Sequence, residues 1–188
     1  MARLAAVVLA AGAGTRLGGV AKALLGEPTF LARVVATARE VGVTDVVVAV
    51  AEPFGARVEA AARLLGARVV WNPAPERGMG GSIALGFGAL TDASDAAWLW
   101  PVDHPHVRAS TLRTLAGALA GHDVARPLLG GRRGHPPLVA RRAWPRLVAC
   151  ADIGARAALA ACDAIDIPVD DVGVVRDVDV PADLESAS

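Results

Sequence analysis

The sequence predicts an α/β fold: a single three-layer domain on a mostly parallel sheet, with an inserted antiparallel hairpin. Three observations predict it. Short apolar runs rich in β-branched residues recur along the 188 residues, and the early ones are too continuously hydrophobic to leave a solvent face. Helix-length amphipathic segments lie between them, the alternation that builds parallel sheets. One stretch, VARPLLGGRRGHPPLVAR (124–141), breaks the rhythm with two strand-like runs around GGRRG, the pattern of a hairpin.

In chain order the strand candidates are LAAVVLAA (4–11), DVVVAVA (45–51), ARVVW (67–71), AAWLWPV (96–102), DVARPLL (123–129), PPLVA (136–140), AIDIPV (164–169) and VGVVRDVDV (172–180). Among the helical segments, TFLARVVATAREVG (29–42) sets Leu31, Val34, Val35 and Ala38 on one stripe and stops at a glycine. FGARVEAAARLLG (54–66) repeats the pattern with Val58, Ala61, Ala62 and Leu65. STLRTLAGALAG (110–121) opens on Ser110, a residue suited to cap a helix. No repeat, low-complexity tract or linker divides the chain, so residues 1–188 read as one Rossmann-like domain.

Composition narrows the function classes. At 54% hydrophobic and 20% charged residues the chain is not a disordered one. Lys+Arg and Asp+Glu are equal at 19 each, which leaves no overall field to attract nucleic acid or an anionic membrane. Cys150 and Cys162 form no CxxC and no zinc-like set with the four histidines, and read as reduced thiols. No apolar stretch approaches the ~20 residues that span a bilayer. Arg3, LAAVVLAA and AGA imitate a secretory signal, but the apolar part is short and the leading charge slight. The expectation is a cytoplasmic protein.

Ligands of open α/β sheets sit beyond the carboxyl ends of the strands, which draws attention to VVLAAGAGTRLGG (7–19). Its glycines let backbone N–H groups converge on an anion. The P-loop pattern fails, because Lys22 is flanked by alanines. Gly12, Gly14 and Gly18 give a GxGxxxG after a strand, but Gly18, Gly19, Gly26 and Pro28 interrupt the helix that a dinucleotide site requires. The acidic Glu52 also follows Gly12 by about 40 positions, where about 20 is expected. What remains is a long loop carrying Arg16 and Lys22, two cations suited to the β and γ phosphates of a nucleotide. A tight turn with two solvated basic residues is the alternative.

Further along, Asp103 emerges at the carboxyl end of an apolar strand and must find a partner there. Mg²⁺ is one, since it takes few carboxylates plus phosphate oxygens; a helix cap or a salt bridge is the other. Asp177 and Asp179 alternate along a strand candidate and so share a face. Ser82 follows glycines into a helix that it could cap. Arg132, Arg133 and His135 stand at the tip of the hairpin candidate.

Five segments in order, LAAGAGTRLGGVAKALL (9–25), GMGGSIALG (78–86), PVDHP (101–105), GRRGHPPL (131–138) and RDVDVPADL (176–184), resemble the signatures of MobA-like nucleotidyltransferases. The LAAG, GMGxS and GxxGHP forms are similar to the molybdenum cofactor cytidylyltransferase branch, and Ala11 favours CTP over GTP; Leu17 stands where methionine is usual. The resemblance implies the nucleotide-diphospho-sugar transferase type of fold and transfer of CMP from CTP, or another NTP, to a phosphate-bearing acceptor such as molybdopterin. It implies Mg²⁺ held by Asp103 and Asp179, with Asp177 next, and catalytic roles for Arg16, Lys22 and Asp103. Ala10, Ala11, Gly12, Ala13, Gly14, Thr15, Arg16, Lys22, Gly80 and Ser82 would bind the nucleotide, and Arg132 and His135 the acceptor. A molybdoenzyme receiving the cofactor would be a partner. Other readings are a sugar- or alditol-phosphate nucleotidyltransferase, an NAD(P)-dependent oxidoreductase, and a non-catalytic cofactor carrier.

Overall fold

A computed structural model describes residues 2–12 and 19–178. Among these residues the sheet has eight strands: β1 (Leu4–Leu9), β2 (Val43–Val50), β3 (Arg68–Trp71), β4 (Ala96–Pro101), β5 (Val124–Leu129), β6 (Arg132–Arg133), β7 (Leu138–Ala140) and β8 (Ala164–Pro168). They run in the order β3-β2-β1-β4-β7-β5, with β6 and β8 also on β5. Strands β3, β2, β1 and β4 are mutually parallel, and β8 is parallel to β5. Strand β7 runs antiparallel to both β4 and β5. The sheet is therefore mixed, parallel through the half that carries the predicted loop.

Period-two alternation explains the layers. Every residue of β1 is buried. Ala6 and Val8 join Trp98 and Trp100 of β4 in one core, closed by α1 (Phe30–Glu40), α2 (Gly55–Leu64) and α4 (Ala109–Ala118). Ala5, Val7 and Leu9 join Ala97 and Leu99 in the other, under α3 (Met79–Gly88), α5 (Trp144–Val148) and α6 (Gly154–Ala158). A Cβ on Gly86 would overlap the Cγ1 methyl of Val7, so α3 rides directly on the central strand. The predicted stripe Leu31, Val34, Val35 and Ala38 is buried, and Thr29 Oγ1 caps α1 by accepting from Ala32 N at 3.3 Å.

The hairpin turns at Gly130 and Gly131, both at positive φ (55° and 81°), as a two-residue turn between twisted strands requires. Its returning strand is interrupted. Residues 132–133 pair with Leu128 and Leu129, then 138–139 pair with Val124 and Ala125, leaving 134–137 as the break.

Three expectations are corrected. VGVVRDVDV is not a strand where it is described: Val172–Val174 form a 3₁₀ turn and 176–178 pair with no strand, because the Asp171 side chain accepts from Gly173 N and winds the backbone. Asp177 therefore lies on no strand, and Asp179 is outside the described residues. Ser110 lies inside α4 and does not cap it; Asp171 Oδ2 accepts from Arg108 N and Thr111 Oγ1 in its place. Ser82 sits in the fourth position of α3, whose cap position is Gly78, and caps nothing. The short helices α5 and α6 had no counterpart in the sequence reading. No helix among the described residues is long and apolar enough to cross a membrane.

Candidate active site

Strands β1 and β4 are parallel and in register, with Leu9 opposite Pro101. Val102 N donates to Leu9 O and Ala10 N to Ala49 O, so the loops that follow the two strands leave the sheet side by side. The first loop reaches a 3₁₀ turn at Lys22–Leu24. Ala21 and Ala23 are buried there, which turns the intervening Lys22 outward toward the second loop. Its Nζ stands 3.4 Å from Asp103 Oδ2, with the two side chains only 18% and 27% exposed. Two of the predicted residues thus meet at the carboxyl edge of the central strands.

Backbone bonds fix the Asp103 loop. Trp100 Nε1 donates to His104 O at 3.1 Å. Buried His104 faces Gly173 O through Nδ1 at 3.2 Å; since a carbonyl only accepts, Nδ1 carries the proton. Val178 N donates to Asp103 O at 3.0 Å, which brings the chain past Asp103 immediately after Asp177. Asp177 itself is exposed.

His135 occupies the break in the hairpin, away from the glycine tip. Its ring centroid lies 5.0 Å from that of His104, and its N donates to Val174 O at 2.7 Å. Burial, then the neighbouring His104, pushes its pKa down to about 4, while Asp103 and Asp177 pull the other way. It is a neutral imidazole at pH 7, and its buried Nδ1 has no hydrogen-bond partner among the described residues. The structure parts it from the arginines with which the sequence grouped it. Arg132 is exposed beside the turn, and Arg133 pairs with Asp166 at 3.0 Å.

A second polar centre lies along the same edge, beyond β3. Asn72 N donates to Val50 O, and the buried Asn72 side chain donates from Nδ2 to Ser82 Oγ at 2.9 Å while its Oδ1 accepts from Ala74 N. This engages the Ser82 oxygen as acceptor and leaves its proton to donate. Gly80 packs so tightly on the backbone of Cys150 and Ala151 that no Cβ would fit. Three strand spacings, roughly 14 Å, separate β3 from β4. The sequence reading missed Asn72; its one signal is a polar residue closing the apolar run RVVW.

The residues brought together are therefore Lys22, Asp103, His135 and Asp177, with Ala10, Ala11 and Gly12 leaving the adjacent strand. A Cβ on Gly12 would meet nothing within 4 Å. Ala13, Gly14, Thr15 and Arg16 lie outside the described residues, as does Asp179. Among the described residues no group of three or more His, Cys, Asp or Glu side chains is arranged to hold a metal. The donor chemistry nonetheless suits Mg²⁺, which needs only one or two carboxylates when phosphate oxygens complete its shell. The Lys22 ammonium already compensates the Asp103 carboxylate, so a metal ion there would compete with it. Among the described residues the first α-helix after β1 begins at Phe30, well beyond the glycines, whereas a dinucleotide site demands one directly after them.

The family profile described as MobA-like NTP transferase domain matches residues 6–167. Among curated protein sequences no match is found. Among solved structures, Rv0371c from Mycobacterium tuberculosis H37Rv is 23% identical and superposes with a TM-score of 0.82 over 99% of this chain and 97% of its own. The same protein in complex with manganese is 23% identical and gives 0.77 over 98% and 99%. Molybdopterin-guanine dinucleotide biosynthesis protein A from Archaeoglobus fulgidus is 17% identical with a TM-score of 0.70 over 97% and 96%. CMP:2-keto-3-deoxy-manno-octonic acid synthetase complexed with CTP is 16% identical with 0.73 over 98% and 96%. At these identities the likeness concerns the fold.

Proposed function

The chain belongs to the MobA-like NTP transferase family and is a nucleotidyltransferase, and on that premise we propose that it moves CMP from CTP to a phosphate-bearing acceptor, with molybdopterin or molybdenum cofactor as the favoured acceptor. The observation that carries this is the Lys22–Asp103 pair at the carboxyl edge of β1 and β4. It supports the reading because ligands of open α/β sheets bind beyond that edge, and the pair supplies a cation for a triphosphate and a carboxylate for a metal.

The acceptor phosphate attacks the α-phosphorus in line, the bond to the β-phosphate oxygen breaks, and pyrophosphate leaves. No side-chain nucleophile is required; positioning and charge neutralisation supply the acceleration. Asp103, with Asp179 or Asp177, would hold Mg²⁺, and that ion supplies charge neutralisation to the nucleotide and acceptor oxygens when bound. Lys22 and Arg16 stabilise charge on the departing pyrophosphate, Ala10 to Thr15 cradle the phosphates, and Gly80 and Ser82 border the base. Arg132 offers charge to the acceptor's phosphate. His135, neutral at pH 7, serves it as a hydrogen-bonding group. The enzyme acts in the cytoplasm and passes its product to a molybdoenzyme.

A pyrophosphate-release screen tests this. CTP, GTP and ATP are offered with molybdopterin or with sugar and alditol phosphates, in Mg²⁺ and again in chelator. Release from CTP with molybdopterin and Mg²⁺ is expected. Turnover only with a sugar or alditol phosphate would move the enzyme to that acceptor class, and turnover undiminished by chelator would refute the metal.

A further inference from the structure

Asp171 is buried (2% exposed) and both of its carboxylate oxygens are engaged. Oδ2 accepts from Arg108 N at 2.8 Å and Thr111 Oγ1 at 2.6 Å; Oδ1 accepts from Gly173 N at 3.0 Å and lies 3.9 Å from Arg108 Nε. One side chain thus caps α4 and, at the same time, the 3₁₀ turn that opens the segment 172–178. That segment runs across the active-site loops. Gly173 lies against the His106 carbonyl with no room for a Cβ, and Gly173 O accepts from His104 Nδ1. Val174 O accepts from His135 N, and Val178 N donates to Asp103 O. Val174 and Val178 are fully buried, so the segment cannot slide without losing packing.

We propose that Asp171 is a positioning residue: by pinning the 172–178 segment to α4, it sets where Asp177 stands relative to the carboxylate of Asp103. This rests on the metal reading of Asp103. The physical argument is that a buried carboxylate with several donors has one low-energy placement, and removing it leaves those donors unpaired. Residues that orient metal-binding groups from behind typically change metal affinity about ten- to a hundred-fold when altered.

The test separates positioning from helix capping. Asp171→Asn should weaken Mn²⁺ binding in the presence of CTP about ten-fold, read by electron paramagnetic resonance. In the metal-free protein it should also speed hydrogen exchange at the amides of His135 and Val178. Adding Arg108→Ser gives α4 a local cap, and this double variant should regain thermal stability while its Mn²⁺ affinity stays low. If Asp171→Asn does not fold, Gly173→Ala displaces the segment with the α4 cap intact, and the same two losses are expected. Mn²⁺ affinity and exchange within two-fold of wild type, or affinity recovering together with Tm in the double variant, would overturn the role of Asp171 alone. A wild-type chain that binds CTP but no Mn²⁺ would overturn the metal reading, and this inference with it.

Discussion

Removing the Lys22 ammonium should alter two binding equilibria in opposite directions. At 3.4 Å a unit charge pair interacts by about 5 kcal/mol at an effective dielectric near 20, most of it offset by desolvation. With both side chains about a quarter exposed or less, a net 1–2 kcal/mol is expected, more than a surface pair and less than a fully buried one. In Lys22→Ala the Asp103 carboxylate loses its competitor, so Mn²⁺ affinity in the nucleotide-free protein should rise about ten-fold. The lost ammonium would otherwise make a charge-assisted bond to the β or γ phosphate, worth about 1.5–3 kcal/mol. CTP affinity should therefore fall about ten- to a hundred-fold, with CMP affinity nearly unchanged. Isothermal titration of Mn²⁺, CTP and CMP against wild type and variant reads all three. Equal losses for CTP and CMP would refute the placement of Lys22 at the triphosphate. Unchanged Mn²⁺ affinity would refute its competition for Asp103.

Asp103→Asn should remove turnover, read as pyrophosphate release, while circular dichroism keeps the wild-type spectrum and stability falls by no more than the about 1–2 kcal/mol of the Lys22 pair. His135 has a folded pKa near 4, below the ~6.5 of an unfolded histidine, so the unfolded chain binds the extra proton first. Stability should fall as pH drops from about 6.5 to about 4, and urea unfolding of His135→Gln should show a shallower decline across that window. Gly86→Ala should cost about 1–3 kcal/mol by driving a methyl group into Val7, visible as a lower Tm. Asn72→Leu should cost a similar amount by leaving Ala74 N unpaired, and should raise KM for CTP if Ser82 borders the base.

The parallel half of the fold was legible because its signals are local. Val46 to Val50 and Ala96 to Trp100 are apolar without interruption, and strands covered on both faces must be. The position of Asp103 was legible for a related reason, since a charged residue just past a buried strand stands where α/β sheets bind ligands; Lys22 was legible only as a cation following the glycine-rich stretch. What stayed hidden depends on partners distant in sequence. Ser110 has the chemistry of a cap, yet Asp171, 62 residues after Ala109, caps α4, and nothing local announces it. The same carboxylate winds VGV into a turn that alternation alone reads as a strand. His135 read as part of a charged tip because the break that buries it appears only when β7 pairs with β4.

The most direct test of the central claim is a crystal structure with CTP and Mn²⁺, with manganese located by its anomalous scattering. Manganese coordinated by Asp103 and by phosphate oxygens, with Lys22 turned onto the triphosphate and the glycine loop around it, is the expected result. Manganese away from Asp103, or a nucleotide whose phosphates lie off the carboxyl edge of β1 and β4, would contradict the account.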